Sequence, residues 1–255
     1  MQLLIAANWK MYKTGEEAVS TLADLGRLLP SPPGDRQVVV FVPFTALAQA
    51  ARAAGPGLAL GAQNCYPAEE GAFTGEISPA MIRAAGGTWV LAGHSERRSL
   101  FRESDDFVGR KTAFALRAGL QVILCVGETL EERDSGGLRP VLERQMRGGL
   151  DGVDPAFLPS SLAVAYEPVW AIGSGRVAGR EEILEAHGLI RSLLENRFGA
   201  AGRGARILYG GSVKPDNAGS VLGLDNVNGV LVGGASLRAE SFSAIARAPV
   251  PGTGR

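Results

Sequence analysis

Eight short apolar runs rich in β-formers recur along this 255-residue chain, at 2 to 8, 37 to 42, 58 to 63, 88 to 93, 120 to 127, 162 to 167, 205 to 210 and 227 to 234. Segments with helical spacing of apolar positions separate them, as at 16 to 29, 107 to 119 and 180 to 199. A strand covered on both faces reads as a continuous apolar run rather than an alternating one, so this β, α, β, α order points to a parallel sheet. An open doubly wound sheet fits the same order, but it usually carries a glycine-rich phosphate loop after its first strand. Here the first strand runs into NWKMYK, without a glycine. Eight units in a chain of the usual barrel length make a single (β/α)8 barrel with eight parallel strands the expected fold. It is expected to occupy 1–247 as one catalytic domain, with a flexible Pro/Gly-rich tail over 248–255. The segments after strand two (44 to 55) and strand seven (215 to 223) are short and weakly patterned, so periodicity does not fix their ends.

Lys and Arg total 26, as do Asp and Glu, for a formal net charge of zero. That balance gives no broad basic footprint for nucleic acid or a membrane surface, and a small soluble ligand is the expected partner. The N-terminal run lacks a basic region before its apolar residues, and no stretch has the length of a membrane span. Cys65 and Cys125 form neither a metal motif nor a disulfide framework. A cytoplasmic location is the expectation.

Barrels of this kind build their sites at the C-terminal ends of the strands. Those ends carry Asn8 and Lys10 after the first, His94 after the fourth, Glu167 after the sixth, Gly210, Gly211 and Ser212 after the seventh, and Gly233 and Gly234 after the eighth. The set suits proton transfer beside a phosphate. A solvated carboxylate is a weak base, and the apolar neighbours of Glu167 would strengthen it. Spacing alone leaves a structural ion pair equally open for this residue. Lys10 is either a solvated cation or a charge for a phosphate and a developing oxyanion. Single glycines are commonly turn residues, but glycines clustered after strands six to eight, Gly173 among them, suit close approach of backbone amides to a phosphate.

Only two histidines occur, His94 and His187, and neither belongs to a metal-binding cluster, so no metal is expected. His187, inside a helical pattern, reads as a surface or packing residue. The run GHSER lacks the second glycine of a nucleophile elbow, and Ser95 instead reads as opening a short helix whose amide dipole disfavours charge on His94. His94 is then a neutral hydrogen-bond donor.

The motifs NWKM (8 to 11), GAFTGEIS (71 to 78), GHSERR (93 to 98), AYEPVWAIGSG (165 to 175), YGGSVKPDN (209 to 217) and LVGGASL (231 to 237) resemble the triosephosphate isomerase family, in family order, from residue 4 to about 246. The resemblance implies a TIM barrel that interconverts dihydroxyacetone phosphate and glyceraldehyde 3-phosphate in glycolysis and gluconeogenesis without a cofactor. It implies Glu167 as the base, His94 as the electrophile, Asn8 and Lys10 as substrate contacts, and Gly173, Ser212, Gly233 and Gly234 as phosphate-binding amides. Residues 168 to 175 resemble a closing lid. Residues 64–79 resemble a loop inserted into a partner subunit, which implies a homodimer. Tyr12 and Tyr66-Pro67 depart from the family pattern, and both bear on subunit packing. One alternative is a lyase on the same barrel, which needs a Schiff-base lysine inside a strand, whereas Lys13, Lys111 and Lys214 fall in loops or helices. The other is a non-catalytic sugar-phosphate sensor.

Overall fold

The strands close on themselves. In the computed structural model, which describes residues 2–172 and 177–250, β1 (Leu3–Asn8), β2 (Arg36–Val42), β3 (Leu58–Ala62), β4 (Trp89–Ala92), β5 (Gln121–Val126), β6 (Leu162–Tyr166), β7 (Arg206–Tyr209) and β8 (Gly229–Val232) form a barrel in chain order. All pairings are parallel, and β8 returns to β1 with Ile5 opposite Val230 and Ala7 opposite Val232.

Two apolar layers explain why the strands read as unbroken runs. Leu4, Ala6, Val39, Phe41, Ile123, Cys125, Ala163 and Ala165 pack in one buried cluster with Trp89 and Leu208. Their neighbours along the same strands, Ile5, Ala7, Val38, Val40, Val122, Leu124, Leu162 and Val164, belong to the other cluster, shared with the helices. Side chains alternate across a strand, so both faces of the sheet are covered. Gly61 makes room in the first cluster: a Cβ there would stand 2.5 Å from a ring carbon of Phe41 and 2.9 Å from the Cβ of Trp89.

Local chemistry sets the helix ends. The helix Gly15–Leu28 starts in a capping box between Thr14 and Glu17. The segment read as 107 to 119 is the helix Asp105–Arg117, which begins two residues earlier because Ser104 caps it and Asp105 and Asp106 suit its first turn. The weakly patterned segments form Phe44–Ala53 and the single turn Ala218–Leu222.

The eighth run, read over 227 to 234, forms a strand only at Gly229–Val232. Before it, Asn228 Oδ1 accepts hydrogen bonds from the amide of Ile207 and from Arg191. After it, the chain turns at Gly233 into the 3-10 helix Gly234–Leu237. Residues 248 to 250, assigned by sequence to the tail, carry fixed contacts: Ala248 is buried, its carbonyl accepts from Arg36, and Val250 packs on the core.

Candidate active site

At the C-terminal mouth of the barrel, one cavity of about 380 Å³ is lined by Asn8, Lys10, His94, Glu167, Ser212, Gly233 and Gly234, among others. These are the strand-end residues singled out from sequence. Gly173 lies outside the described residues.

Lys10 sits just past β1 with φ +52, unusual for a side-chain-bearing residue. Two hydrogen bonds hold it there: its amide donates to Asn8 Oδ1 at 2.9 Å, and Gln63 Nε2 donates to its carbonyl at 2.8 Å. Its ammonium meets Glu96 Oε1 at 2.7 Å, so the cation enters the site with a counter-charge attached.

His94 is the N-cap of the short helix Ser95–Ser99, and its Nδ1 accepts the amide hydrogen of Glu96 at 3.2 Å. That assigns Nδ1 as the acceptor and leaves Nε2 to carry the ring hydrogen. Nε2 lies 3.0 Å from Glu167 Oε1. The second carboxylate oxygen, Oε2, accepts the amide hydrogen of Ser95 at 2.8 Å. Both groups are almost wholly buried, with 5% exposure for His94 and 2% for Glu167. The imidazole and the Glu167 carboxylate are thus in direct contact, and the first amide of the helix holds the carboxylate.

Glu128 is a second buried carboxylate, which sequence reasoning missed. Its Oε1 accepts from the Tyr166 hydroxyl at 2.9 Å and from Trp170 Nε1 at 2.8 Å. Burial raises its pKa above the ordinary carboxylate value. It ties the end of β6 to Trp170, inside the segment that resembles a lid. Glu128 and Gln63 obey the same strand-end logic as the others: they lie just past β5 and β3, and attention to those strand ends would have found them, while Glu96 sits in the helix that follows His94.

His187 is a packing residue, as its helical pattern suggests. It is fully buried beside Tyr166 and Tyr209, and Nδ1 is 3.0 Å from the Asn226 carbonyl. Burial holds its pKa down to about 4. Lys111 is buried in the helix Asp105–Arg117, paired with Glu103 at 2.5 Å and with Asn64 at 2.7 Å. It is no Schiff-base lysine inside a strand. Arg97 turns from its neighbour Glu96 to pair with Glu103 at 2.6 Å.

A family model described as triosephosphate isomerase matches residues 3–249. The chain belongs to the triosephosphate isomerase family. It is 59% identical over 248 residues to the triosephosphate isomerase of Nitratidesulfovibrio vulgaris (strain Miyazaki F), covering 96% of this chain and 99% of that one. It is 58% identical over 247 residues to that of Oleidesulfovibrio alaskensis, with the same two coverages. The crystal structure of triosephosphate isomerase from Bartonella henselae superposes with a TM-score of 0.86 at 41% identity, over 96% of this chain and 98% of that one. The triosephosphate isomerase resemblance read from six motifs therefore extends over nearly the whole chain.

Proposed function

We propose that the chain interconverts dihydroxyacetone phosphate and D-glyceraldehyde 3-phosphate through an enediolate, with Glu167 as the base. The observation that carries this reading is the meeting of Glu167, His94 and Lys10 at one cavity whose wall also contains Ser212, Gly233 and Gly234. Glu167 takes a proton from the carbon beside the carbonyl. The C–H electron pair becomes the new C=C bond, and the carbonyl oxygen takes up negative charge. His94 Nε2–H donates to that oxygen, and the Lys10 ammonium stabilises it electrostatically. The hydroxyl proton on the first carbon then passes to the charged oxygen, relayed by His94 Nε2, and Glu167 returns the carbon-derived proton to the adjacent carbon as the carbonyl re-forms on the first, so no electrons leave the substrate.

The contacts of the Glu167 carboxylate bear on this cycle. Both of its oxygens are engaged, by His94 and by the Ser95 amide, so abstraction requires the carboxylate to leave them for the substrate carbon. The same departure frees His94 Nε2–H for the substrate oxygen. Asn8 fixes the unusual backbone of Lys10 through its side chain, and it completes the substrate wall. The amides of Ser212, Gly233 and Gly234, with Gly173, are assigned to the phosphate. Gly233 and Gly234 open a 3-10 turn, where the leading N–H groups of a helix have no helical acceptor. Residues 168 to 175 are assigned the role of a lid that excludes water and so strengthens these electrostatic contacts.

The same reading makes the barrel of residues 1–247 one catalytic domain, working in the cytoplasm as a homodimer through the 64–79 loop. Support for the dimer comes from large apolar side chains left exposed near the strand ends: Met11 at 95%, Leu100 at 73%, Phe101 at 65% and Phe73 at 42%. Large apolar side chains left in water on the segments that follow β1, β3 and β4 suit a protein interface. Sedimentation of the purified chain at twice the monomer mass supports the dimer, and a monomer at micromolar concentration refutes it.

The test of the activity is a coupled assay of glyceraldehyde 3-phosphate conversion, with no metal or nicotinamide supplied to the isomerising step. Turnover is expected. A well-folded protein that binds the triose phosphate without converting it is instead a sugar-phosphate sensor.

A further inference from the structure

Lys214 is a surface lysine two residues beyond Ser212, and sequence reasoning gave it no role. Its side chain is exposed, and it lines the same cavity as Lys10, Ser212, Gly233 and Gly234. The turn that carries it is fixed by side-chain hydrogen bonds: Asn217 Oδ1 accepts from the Lys214 amide at 2.8 Å, and Asn217 Nδ2 donates to the Ser212 carbonyl at 3.1 Å. The root of Lys214 is therefore tied to the backbone assigned to the phosphate.

The charge balance at the mouth gives this lysine its significance. The other lining lysine, Lys10, is held by Glu96 at 2.7 Å, which offsets its field at a distance. Glu167, also in the wall, adds a negative charge facing an incoming anion. His94 has its Nδ1 occupied as an acceptor and contributes no formal charge in that state. Lys214 makes no ion pair among the described residues, Asp216 two positions on included. Without it, the charges of Lys10, Glu96 and Glu167 would sum to a negative value, the wrong sign for a phosphate dianion.

We infer that Lys214 is an electrostatic steering residue, which draws phosphate dianions to the mouth of the cavity and takes no part in the proton transfer. The inference rests on the proposed phosphate-bearing substrate and adds a residue to its capture. A single exposed charge acts through water, so its effect is modest and strongly screened by salt. It lowers the free energy of the dianion near the mouth and so raises kcat/KM, whether encounter or binding equilibrium limits that quantity.

The experiment compares the full-length chain with Lys214→Gln, Lys214→Glu and Lys214→Arg in two arms. In the first, kcat and kcat/KM for the triose phosphate are measured as ionic strength is raised. At low salt the Gln variant is expected to lose roughly threefold to tenfold in kcat/KM, the Glu variant more, and the Arg variant little. The deficits should close as salt screens the charge, with kcat little changed. In the second arm, inorganic phosphate is titrated into wild type and the Gln variant at low and high salt, with the same salt-sensitive weakening expected. This arm does not depend on turnover. Equal salt dependence of the two proteins in both arms, or a deficit that persists undiminished at high salt, overturns the steering role. A wild-type chain that shows the phosphate difference without turning over triose phosphate keeps the steering role and refutes the catalytic reading instead.

Discussion

Glu167 Oε1 stands 3.0 Å from His94 Nε2, and the imidazole's other nitrogen accepts an amide hydrogen from Glu96. The first contact joins the proposed base to the proposed electrophile. The second fixes which imidazole nitrogen donates, because a nitrogen that accepts an N–H cannot carry a hydrogen of its own. One short helix, Ser95–Ser99, thus orients both partners, His94 through the Glu96 amide and Glu167 through the Ser95 amide at 2.8 Å.

His94→Asn separates the two roles of the imidazole. Asparagine is a good N-cap and can keep accepting at the start of the helix, but it lacks a donor at the position of Nε2. The expected result is a fall of about 10²- to 10³-fold in kcat, with thermal unfolding close to wild type. A kcat within a few-fold of wild type would assign the electrophile's task to another group.

Gly127→Ala tests the backbone under the base. A Cβ at this position would collide with the carbonyl oxygen of Glu167, and its carbonyl carbon would be 2.6 Å away. Main chain against main chain cannot be relieved by a rotamer change, so the β5 and β6 ends must shift apart. The variant should lose about 1 to 3 kcal/mol of stability in denaturant unfolding and suffer a kcat loss larger than its change in KM. A fully stable and active variant would show that the position of Glu167 tolerates this displacement.

His187 predicts an acid-side stability slope. Its folded pKa of about 4 lies below its ordinary value of 6.5 because burial disfavours the charged ring. The unfolded chain therefore binds the proton more readily. The resulting stability is present in full above about pH 6.5 and is lost as pH falls toward 4, an effect of about 3 kcal/mol. His187→Phe should flatten that part of the curve, at a constant cost from the unpaired Asn226 carbonyl. An unchanged slope in urea unfolding between pH 4 and 6.5 would place the titrating group elsewhere.

The strands are legible in the sequence because the barrel covers both of their faces: Leu4 and Ala6 pack on one side, Ile5 and Ala7 on the other, and the run contains no polar interruption. Strand ends are less legible, since apolar composition continues past the last ladder pair. Val227 is buried without belonging to β8, while Asn228 supplies a side-chain link to β7 instead. Asn8, Lys10, His94, Glu167 and Ser212 stand out because each is a polar residue at or just past the end of an apolar strand. Gln63 and Glu128 hold equivalent places past β3 and β5, so position alone flags them, but nothing local reveals what they bind. Their partners, the Lys10 carbonyl and the Trp170 indole, are far away in sequence. The Lys10–Glu96 pair spans 86 positions, and no local pattern announces it.

Glu167→Gln bears most directly on the assignment of Glu167 as the group that carries the proton between two substrate carbons. The exchange of carbon-bound hydrogen of the triose phosphate with solvent deuterium is measured in wild type and in the variant, alongside inorganic phosphate binding. Wild type is expected to take up deuterium, and the variant to lose at least about 10³-fold in that rate with phosphate binding retained, because the amide cannot accept the proton. Deuterium uptake by the variant at the wild-type rate would remove Glu167 from the proton's path.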